Sequence, residues 1–574
     1  MGNALGSLYL GATGLQSAQN ALNTTANNLA NVNTKGYVRQ QVRFVDNQYN
    51  RVKDPTMATN MHQSGLGVSI GDVVHARDIF LDKAYRLEAG REAFYDTCYE
   101  TVSYVEDMMQ ELDGEQFKQS IQDFWISFQE LSKTPADSVT QNLVIQKAGL
   151  LLSRSETLYN DIKSYQQNID AQIIGEVNRI NEIGDRLFEL SQEIQSVEGN
   201  GKETAMTLRD ERDLLLDELG ALTNIVVRED QYGFVSVSIE GVEFVNELKC
   251  FHMSIDEDPT TGFSVPVWEH LSDPVTGSTV SVYNLEKVIS PEANTDIGSL
   301  KAKLMMRGDT YGTYNDLMTP EAYAKVEDKL LMETEAQIDY LFHEIVTTVN
   351  NIFSPITEYT VQADNELRDA DGNILYAAGS NIRILDEANA PVGSDGELPP
   401  RELFSRMGTE RYTVAYDSTG KKVYVYNEEN LDNPDTLYRV GNLEISDDLS
   451  RQVTLLPGFT QNGAVDFALG KKLVDAWEEQ GLRISPNDEY PCSFQGFYDK
   501  MIGKLGTDGN VYKASRDTLT NTVLSIDNSR QQIMGVSSDE ELTKLIKYQS
   551  AYNASSRYMS VISQMTELIV TGLI

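Results

Sequence analysis

The stretch GNALGSLYLGATGLQSAQNALNTTANNLANVNTKGY occupies residues 2–37 and carries a heptad pattern. Leu8, Leu15, Leu22 and Leu29 occupy one position of the repeat, and Leu5, Ala12, Gln19 and Ala26 occupy the other. This alternating spacing of three and four residues is typical of a helix in a coiled coil. The pattern stops at residues 31–36, where Gly36 suits the position just after a helix end. The sequence therefore predicts a helix over about three and a half heptads.

A second stripe with the same spacing follows near the other end of the sequence. It consists of Leu545, Tyr548, Tyr552, Ser555, Met559, Ile562, Thr566, Ile569 and Leu573. Ser537 and Asp539 precede the stripe and are good helix-capping residues. An isolated Asn-rich helix would be marginal in water, so we expect the two terminal helices to pair and to pack against neighbouring copies. The alternative from spacing alone is an ordinary intramolecular two-helix coiled coil.

Composition narrows the class of protein. With 574 residues, the chain is too long for one ordinary domain. The 47 basic and 87 acidic residues give a net charge of −40, which disfavours nucleic acids and anionic membrane surfaces as partners. Residues 1–45 are the exception, because they contain three basic residues and no acidic one. No apolar run is long enough to predict a membrane-spanning helix, and no Sec-type signal peptide is recognisable.

The cysteines do not form a recognisable motif. Cys98, Cys250 and Cys492 are far apart, and none belongs to a CxxC pair. We therefore expect buried single thiols rather than a disulfide scaffold or a cysteine-based zinc site.

Periodicity along the rest of the chain predicts an α+β multidomain fold. Apolar residues at steps of three and four indicate helices over about 140–198, 203–222, 326–352 and 515–535. Alternating residues on both sides of Gly233, and again on both sides of 417–420, predict β-hairpins. The expected architecture is a terminal coiled coil, an elongated helical bundle stalk and two inserted β-rich domains. The coiled coil is predicted to comprise residues 1–45 and 537–574. The bundle is predicted to comprise 46–223, 301–355 and 491–536. The small insert is predicted at 224–300 and the outer insert at 356–490.

Four short stretches partly match motifs of catalytic or binding sites. Residues 67–71 match G-x-S-x-G, but no βαβ pattern surrounds them, which favours a loop. His343 and Glu344 begin like the zinc motif H-E-x-x-H, but Thr347 stands where the second histidine is required. This favours a structural role for His343. Residues 369–373 lack the spacing of an EF-hand and indicate a tight turn, and 463–470 lack the glycine spacing of a P-loop. We therefore expect no catalytic residue, no cofactor and no metal site.

Residues 26–37, ANNLANVNTKGY, resemble the signature of the bacterial flagellar rod, hook and hook-associated proteins. Residues 65–71, 77–82 and 208–219, the last reading LRDERDLLLDEL, resemble the hook-associated protein 1 members of that group. Residues 535–552 fit the same family. The resemblance covers roughly 1–240 and 490–574 and does not extend over 241–490.

The resemblance implies a structural subunit of the hook–filament junction that polymerises on the distal hook, allows filament assembly and performs no chemistry. Implied partners are copies of the chain in a helical ring, the flagellar hook protein, the second hook–filament junction protein and a cytoplasmic export chaperone at the C-terminal helix. Nucleic acid and membrane insertion are not expected. The implied location is the extracellular flagellum, reached by flagellar export without a cleaved signal peptide.

The expected assembly interface lies on the two terminal helices. It comprises Leu8, Leu15, Leu22, Leu29, Asn27, Asn28, Asn33, Tyr552, Met559, Ile562 and Ile569. In this set, the asparagines are expected to shape the end of the first helix. Two alternatives stay open: another axial subunit (hook, rod or second junction protein), or an exported adhesin or enzyme whose active part is the insert at 356–490.

Overall fold

The computed structural model describes residues 2–47, 50–53, 61–109, 117–199, 204–230, 233–273, 277–362 and 365–572. It confirms the predicted α+β class, with long helices and several small antiparallel sheets. The helices are α1 Gly2–Ala30, α2 Ile79–Met109, α3 Phe117–Lys133, α4 Ser138–Glu198, α5 Met206–Leu222, α6 Ser299–Arg307, α7 Pro320–Val326, α8 Leu330–Phe353, α9 Asp447–Arg451, α10 Phe467–Glu478, α11 Phe494–Met534 and α12 Ser538–Thr571.

The described strands lie between these helices in three groups: β1–β4 after α1, β5–β9 after α5 and β10–β17 after α8. They are β1 Gln40–Asp46, β2 Asn50–Lys53, β3 Met61–Ser64, β4 Val68–His75, β5 Ile225–Glu229, β6 Val235–Ile239, β7 Val242–Val245, β8 Met253–Glu257, β9 Ser264–Trp268, β10 Ile356–Thr360, β11 Leu367–Arg368, β12 Ile374–Tyr376, β13 Asn381–Leu385, β14 Phe404–Arg406, β15 Tyr412–Tyr416, β16 Lys422–Tyr426 and β17 Leu443–Ile445.

The helical bundle contains the main core, and the long helix α4 runs through it. Its apolar residues at steps of three and four are fully buried, as at Ile162, Ile173 and Ile180. Asp137 caps the helix by accepting a hydrogen bond from the backbone N–H of Val139 at 3.1 Å. Helix α2 packs along α11, while α3 and α8 pack against α4. Among the described helices, none is long and apolar enough to cross a membrane.

Both predicted hairpins are confirmed. Strands β5 and β6 pair antiparallel on either side of Gly233, whose φ of 83° suits the turn. Strands β15 and β16 pair antiparallel around 417–420. The second pair belongs to an antiparallel six-stranded sheet of order β10-β13-β16-β15-β11-β12.

The structure differs from the predicted domain boundaries in two places. Within the stretch assigned mostly to the helical bundle, residues 40–46 pair antiparallel with 68–75, and residues 50–53 pair antiparallel with 61–64. Helix α10, assigned to the outer β-rich insert, packs into the bundle, where the Trp477 ring lies 5.6 Å from Phe124 and 5.8 Å from Phe128. Burial of this large aromatic side chain explains why α10 joins the bundle core. The helix predicted from 515 also begins earlier, at Phe494.

Three of the weak motifs lie in ordinary elements of the fold, namely a strand, a packed helix and a tight turn. Ser69 of the G-x-S-x-G string lies on β4 opposite Val45 of β1 rather than in a loop. His343 stacks on Tyr314 with ring centres 4.0 Å apart, and its Nε2 lies 3.1 Å from Glu429. Asp369 accepts hydrogen bonds from the backbone N–H groups of Asp371 and Asn373, which closes a tight turn.

Candidate assembly site at the two termini

Helices α1 and α12 lie against each other along much of their length. On α12, the partly buried positions follow the stripe that the sequence indicates. They include Leu545, Tyr548, Tyr552, Ser555, Met559, Ile562 and Thr566. Ile569 belongs to the same helix, and Leu573 lies outside the described residues. The structure therefore brings Tyr552, Met559 and Ile562 onto one face of the helix.

The seam on α1 is not the predicted pair of heptad positions. The buried positions on α1 are Gly11, Ser17, Ala18, Ala21, Thr25 and Asn28, and Gly14 is partly buried. The predicted complementary residues Ala12, Gln19 and Ala26 are exposed instead, so that part of the prediction is wrong. Leu8, Leu15, Leu22 and Leu29 are half-buried beside the seam.

Small residues explain this choice of seam, because they let the two backbones approach closely. A Cβ atom added at Gly11 would lie 2.6 Å from the Met559 sulfur. At Gly14 it would lie 3.0 Å from Oγ of Ser555. A side chain at either position would therefore collide with the Met559 or Ser555 side chain and force it to move.

Asn28 holds the end of α1 and is only 1% exposed. Its Nδ2 donates to the Gln40 carbonyl at 2.9 Å and to Oε2 of Glu541 at 3.0 Å. Its Oδ1 accepts from the Tyr37 hydroxyl at 2.8 Å and from the Gln40 N–H at 3.1 Å. Both donors and both acceptor sites of the amide are thus used. This one side chain joins α1, β1 and the start of α12.

The other predicted asparagines differ in their surroundings. The Asn27 amide donates to the Tyr37 hydroxyl at 3.3 Å, and its Oδ1 accepts from the Asn31 side chain at 3.1 Å. Asn33 is exposed in the turn that follows. The helix ends at Ala30, so Gly36 lies in a later turn, with φ of 82°, rather than directly after the helix. Burial, aided by the carboxylates of Asp210 and Glu541, raises the pKa of Tyr37 to about 12.

Three arginines and three aspartates form a closed ring of ion pairs where this coiled coil meets the bundle. We call it the Arg–Asp ring, and its members in order are Arg77, Asp213, Arg86, Asp217, Arg530 and Asp82. Arg530 bridges two carboxylates, at 2.9 Å from Asp82 and 2.7 Å from Asp217. Arg86 lies 2.7 Å from Asp217 and 3.5 Å from Asp213, and Arg77 pairs with Asp82 and Asp213.

The ring joins four segments of the chain. Arg77 precedes α2, Asp82 and Arg86 are one turn apart on α2, Asp213 and Asp217 are one turn apart on α5, and Arg530 is near the end of α11. The side chains are at most 17% exposed, so the charges are largely removed from water. Nearby carboxylates outweigh burial and raise the pKa values of Arg77 and Arg530. The alternating charges cancel, which makes their burial tolerable.

A histidine and a carboxyl group beside the ring connect it to the hairpin β1–β4. Oδ2 of Asp210 accepts the backbone N–H of Val38 at 3.2 Å, and its other oxygen lies 3.5 Å from Nε2 of His75. Burial raises the pKa of Asp210 to about 7. Burial, followed by the charge of Arg77, lowers the pKa of His75 to about 4. Both shifts favour the neutral forms, so this contact is not a strong ion pair near neutral pH.

Sequence reasoning used 77–82 and 208–219 for the resemblance but assigned no role to their charges. The spacing of four residues between Asp82 and Arg86, and between Asp213 and Asp217, could have indicated that each pair shares a helix face. Arg530 has no comparable local signal, because its partners are 448 and 313 residues away in the sequence.

The outer face of α12 carries exposed apolar side chains. Leu542, Ile546, Val561, Met565 and Leu568 are 45–74% exposed. Within the described residues, these side chains lie away from the stripe that faces α1. This face is the part of the coiled coil that a single chain leaves open to water.

Comparison with known proteins finds similar proteins in the bacterial flagellum. Residues 102–355 match the flagellar hook-associated protein FlgK helical domain. Flagellar hook-associated protein 1 of Bacillus subtilis is 24% identical over 562 residues, which cover 97% of this chain and 96% of the relative. Along nearly its whole length, the chain is therefore similar to flagellar hook-associated protein 1. The Escherichia coli member is 22% identical over 97% of this chain and 98% of its own.

The hook-associated protein 1 family also has a solved structure similar to this one. The flagellar hook junction protein FlgK from Burkholderia pseudomallei aligns with a TM-score of 0.47 at 14% identity, covering 78% of this chain and 99% of that chain.

The terminal helices match two further families. Residues 8–37 match the flagella basal body rod protein family, and 530–571 match the flagellar basal body rod FlgEFG protein C-terminal family. These ranges cover most of α1 and α12, so the coiled coil is the part shared with other axial proteins. These likenesses support a structural component of the flagellum at the hook–filament junction. The terminal matches to hook and rod proteins support an association with hook components.

Proposed function

We propose that this chain polymerises on the distal end of the flagellar hook through α1 and α12, and that the resulting ring allows the filament to assemble. The observation that carries the proposal is the coiled coil itself. Its inner seam is closed by small residues, while the outer face of α12 exposes Leu542, Ile546 and Met565. An exposed apolar face on a helix indicates a partner surface.

The free energy available from burying apolar side chains favours assembly over a free coiled coil. Burying the exposed apolar side chains of α12 would contribute roughly 1.5–3 kcal/mol each. The contact between α1 and α12 leaves the leucines of α1 only partly buried, so a single chain does not complete their burial. Packing against neighbours would supply the missing burial. The proposed interface therefore combines the leucines of α1 with Tyr552, Met559, Ile562 and Ile569 of α12.

We propose three kinds of neighbour: copies of this chain, the hook protein on one side and the second junction protein on the other. Head-to-tail contacts between identical subunits generate helical arrays. A shared type of terminal coiled coil would let this chain continue such an array from the hook. Asn27, Asn28 and Asn33 would then fix how the chain leaves α1 and enters the bundle.

We propose further that the chain leaves the cell through the flagellar export channel without a cleaved signal peptide, and that a cytoplasmic chaperone holds α12 before export. The exposed apolar residues of α12 support this step, because such a face needs cover until assembly. In this view the chaperone and the neighbouring subunit use the same face in turn.

Deletion of the gene, scored by electron microscopy and by flagellin in the medium, tests the proposal. Bare hooks with flagellin lost to the medium are the expected result. Missing hooks would indicate a hook or rod subunit instead. Intact attached filaments would contradict the junction function and direct attention to the insert at 356–490.

A further inference from the structure

A thiol, an imidazole and a carboxylate meet where the small β-rich insert touches α4. Nε2 of His252 lies 2.8 Å from Oδ1 of Asp185. The Cys250 sulfur completes the group, and one ligand atom from each residue lies within 4.8 Å of the other two. Cys250 is half-buried, whereas the side chains of His252 and Asp185 are 45% and 55% exposed. The group is thus open to solvent on one side.

Backbone geometry brings the three residues together. Cys250 forms an antiparallel bridge with Val245, so the chain is extended there. In an extended chain, residues two apart face the same side, which places Cys250 and His252 together. On α4, Asn181 and Asp185 are four residues apart and share a face. The Asn181 amide binds both the N–H and the carbonyl of Met253, each at 2.9 Å, and so fixes the strand against the helix.

Gly184 makes room for the thiol. A Cβ atom added at this buried helix position would lie 2.7 Å from the Cys250 sulfur and 2.4 Å from the Phe244 ring. The sulfur therefore lies directly against the helix backbone, next to the residue that supplies the carboxylate.

We infer that Cys250, His252 and Asp185 bind a single Zn²⁺ ion, with water in the fourth position. Thiolate, imidazole and carboxylate are the protein ligands that zinc uses, and three of them with an open position form a common zinc arrangement. Ligand atoms around tetrahedral zinc are about 3.5 Å apart. The sulfur, which lies within 4.8 Å of the other two atoms, would therefore move closer by about 1 Å at most, while the His252–Asp185 pair, at 2.8 Å, would open slightly. The ion would replace the hydrogen bond between His252 and Asp185 and release the thiol proton.

The sequence contains no CxxC pair, and its cysteine spacing therefore does not predict a zinc site. Here two ligands come from the extended segment just before β8, and the third comes from a helix residue 67 positions before His252, so no local motif records them. The bound ion would fasten the small insert to α4 by a connection independent of the hydrophobic core.

Cobalt(II) titration of the metal-free full-length protein tests the inference. The expected result is one equivalent of bound cobalt with the visible absorption of a tetrahedral site and a near-ultraviolet cobalt–thiolate band. Zinc should displace the cobalt and abolish both signals. Cys250→Ser should remove the thiolate band and weaken binding by about 100-fold or more, and His252→Gln and Asp185→Asn should weaken it by about 10-fold or more.

Cys492→Ser is the matched control, because Cys492 is also a free cysteine and donates from its sulfur to the Leu482 carbonyl, a bond that serine can keep. It should leave the cobalt spectrum unchanged. Circular dichroism in metal-free buffer checks that each variant folds, and His252→Gln provides a test that leaves the half-buried thiol in place. A wild type that binds no cobalt at micromolar concentration, or a folded Cys250→Ser variant that keeps the thiolate band, would overturn the inference.

Discussion

Helices α8 and α12 are both long and amphipathic, but the single chain buries them to different extents. On α8, Ile338, Leu341 and Ile345 are each 1% exposed, inside the bundle core. On α12, the best-covered apolar residues are only partly buried, and Ile546 and Leu568 are 64% and 74% exposed. The comparison separates a bundle that one chain completes from a coiled coil that needs neighbours. The predictions below test this difference.

The largest expected effect comes from removing residues 540–574. The truncated chain keeps the Arg–Asp ring and the bundle core, so its melting temperature should stay within a few degrees of that of the full-length protein. Assembly should be lost completely, because the proposed interface is gone. Calorimetry and filament counts in a complemented deletion strain measure the two results. If the truncated protein still completed filaments, α12 would not be part of the assembly interface.

Arg530→Met tests whether the Arg–Asp ring stabilises the bundle. It leaves Asp82 and Asp217 largely buried without this partner, which should lower the free energy of unfolding by about 3–5 kcal/mol. Urea unfolding at neutral pH measures the change.

Arg516→Met is the control for that experiment. Arg516 also lies on α11 and stacks on a tyrosine, at 4.4 Å from the Tyr99 ring, as Arg530 does at 4.1 Å from Tyr85. Its carboxylate partners are about half exposed, so the loss should be at most about 1 kcal/mol. Equal losses for the two variants would show that stacking, not the buried ring, carries the stability.

The pH dependence of stability should come from the bundle rather than from the coiled coil. Burial raises the pKa of Glu335 to about 8 and that of Asp339 to about 6. Hydrogen bonds to Glu344 and Glu429 outweigh burial and raise the pKa of His343 to about 9. All three pKa values are raised, so the folded state binds protons more tightly and stability should fall as pH rises from about 4.5 to 9.

Glu335→Gln should flatten this fall between about pH 5 and pH 8, because the amide cannot lose a proton. Urea unfolding at several pH values measures the slope. Glu321→Gln, on the exposed surface of the neighbouring α7, should leave the slope unchanged. If the free energy of unfolding of the Glu335→Gln variant kept the same slope against pH, groups other than Glu335 would be responsible for the fall.

Gly11→Ala should give the smallest effect. The added methyl group must displace the Met559 side chain, which can move only in part because Tyr558 also lies close, at 3.1 Å. We expect reduced incorporation into filaments with unchanged melting of the bundle. Gly6→Ala is the control, since outside its own turn of helix no atom of the described residues lies within 4 Å of the added methyl group and alanine favours the helix. Equal incorporation of both variants would contradict the small-residue seam.

The sequence predicted some elements better than others for physical reasons. The stripe on α12 was visible because its members are large and mostly apolar. The small residues that contact α12 from α1 were missed because glycines and alanines carry little apolar signal, whereas the leucines beside them, which are partly buried, were conspicuous. Contacts such as Arg530 with Asp82 depend on the folded path of the chain, which periodicity does not encode. The identity of the family, by contrast, was readable from residues 26–37 and 208–219.

Amide hydrogen exchange of the purified full-length monomer tests the central claim most directly. The account predicts fast exchange along α1 and α12 and slow exchange along 162–194 of α4 and 338–349 of α8, since protection follows burial and packing. The same peptides of α1 and α12 should become protected in assembled junctions. Strong protection of both terminal helices in the monomer, equal to that of α4, would contradict the claim that the coiled coil is completed by its neighbours.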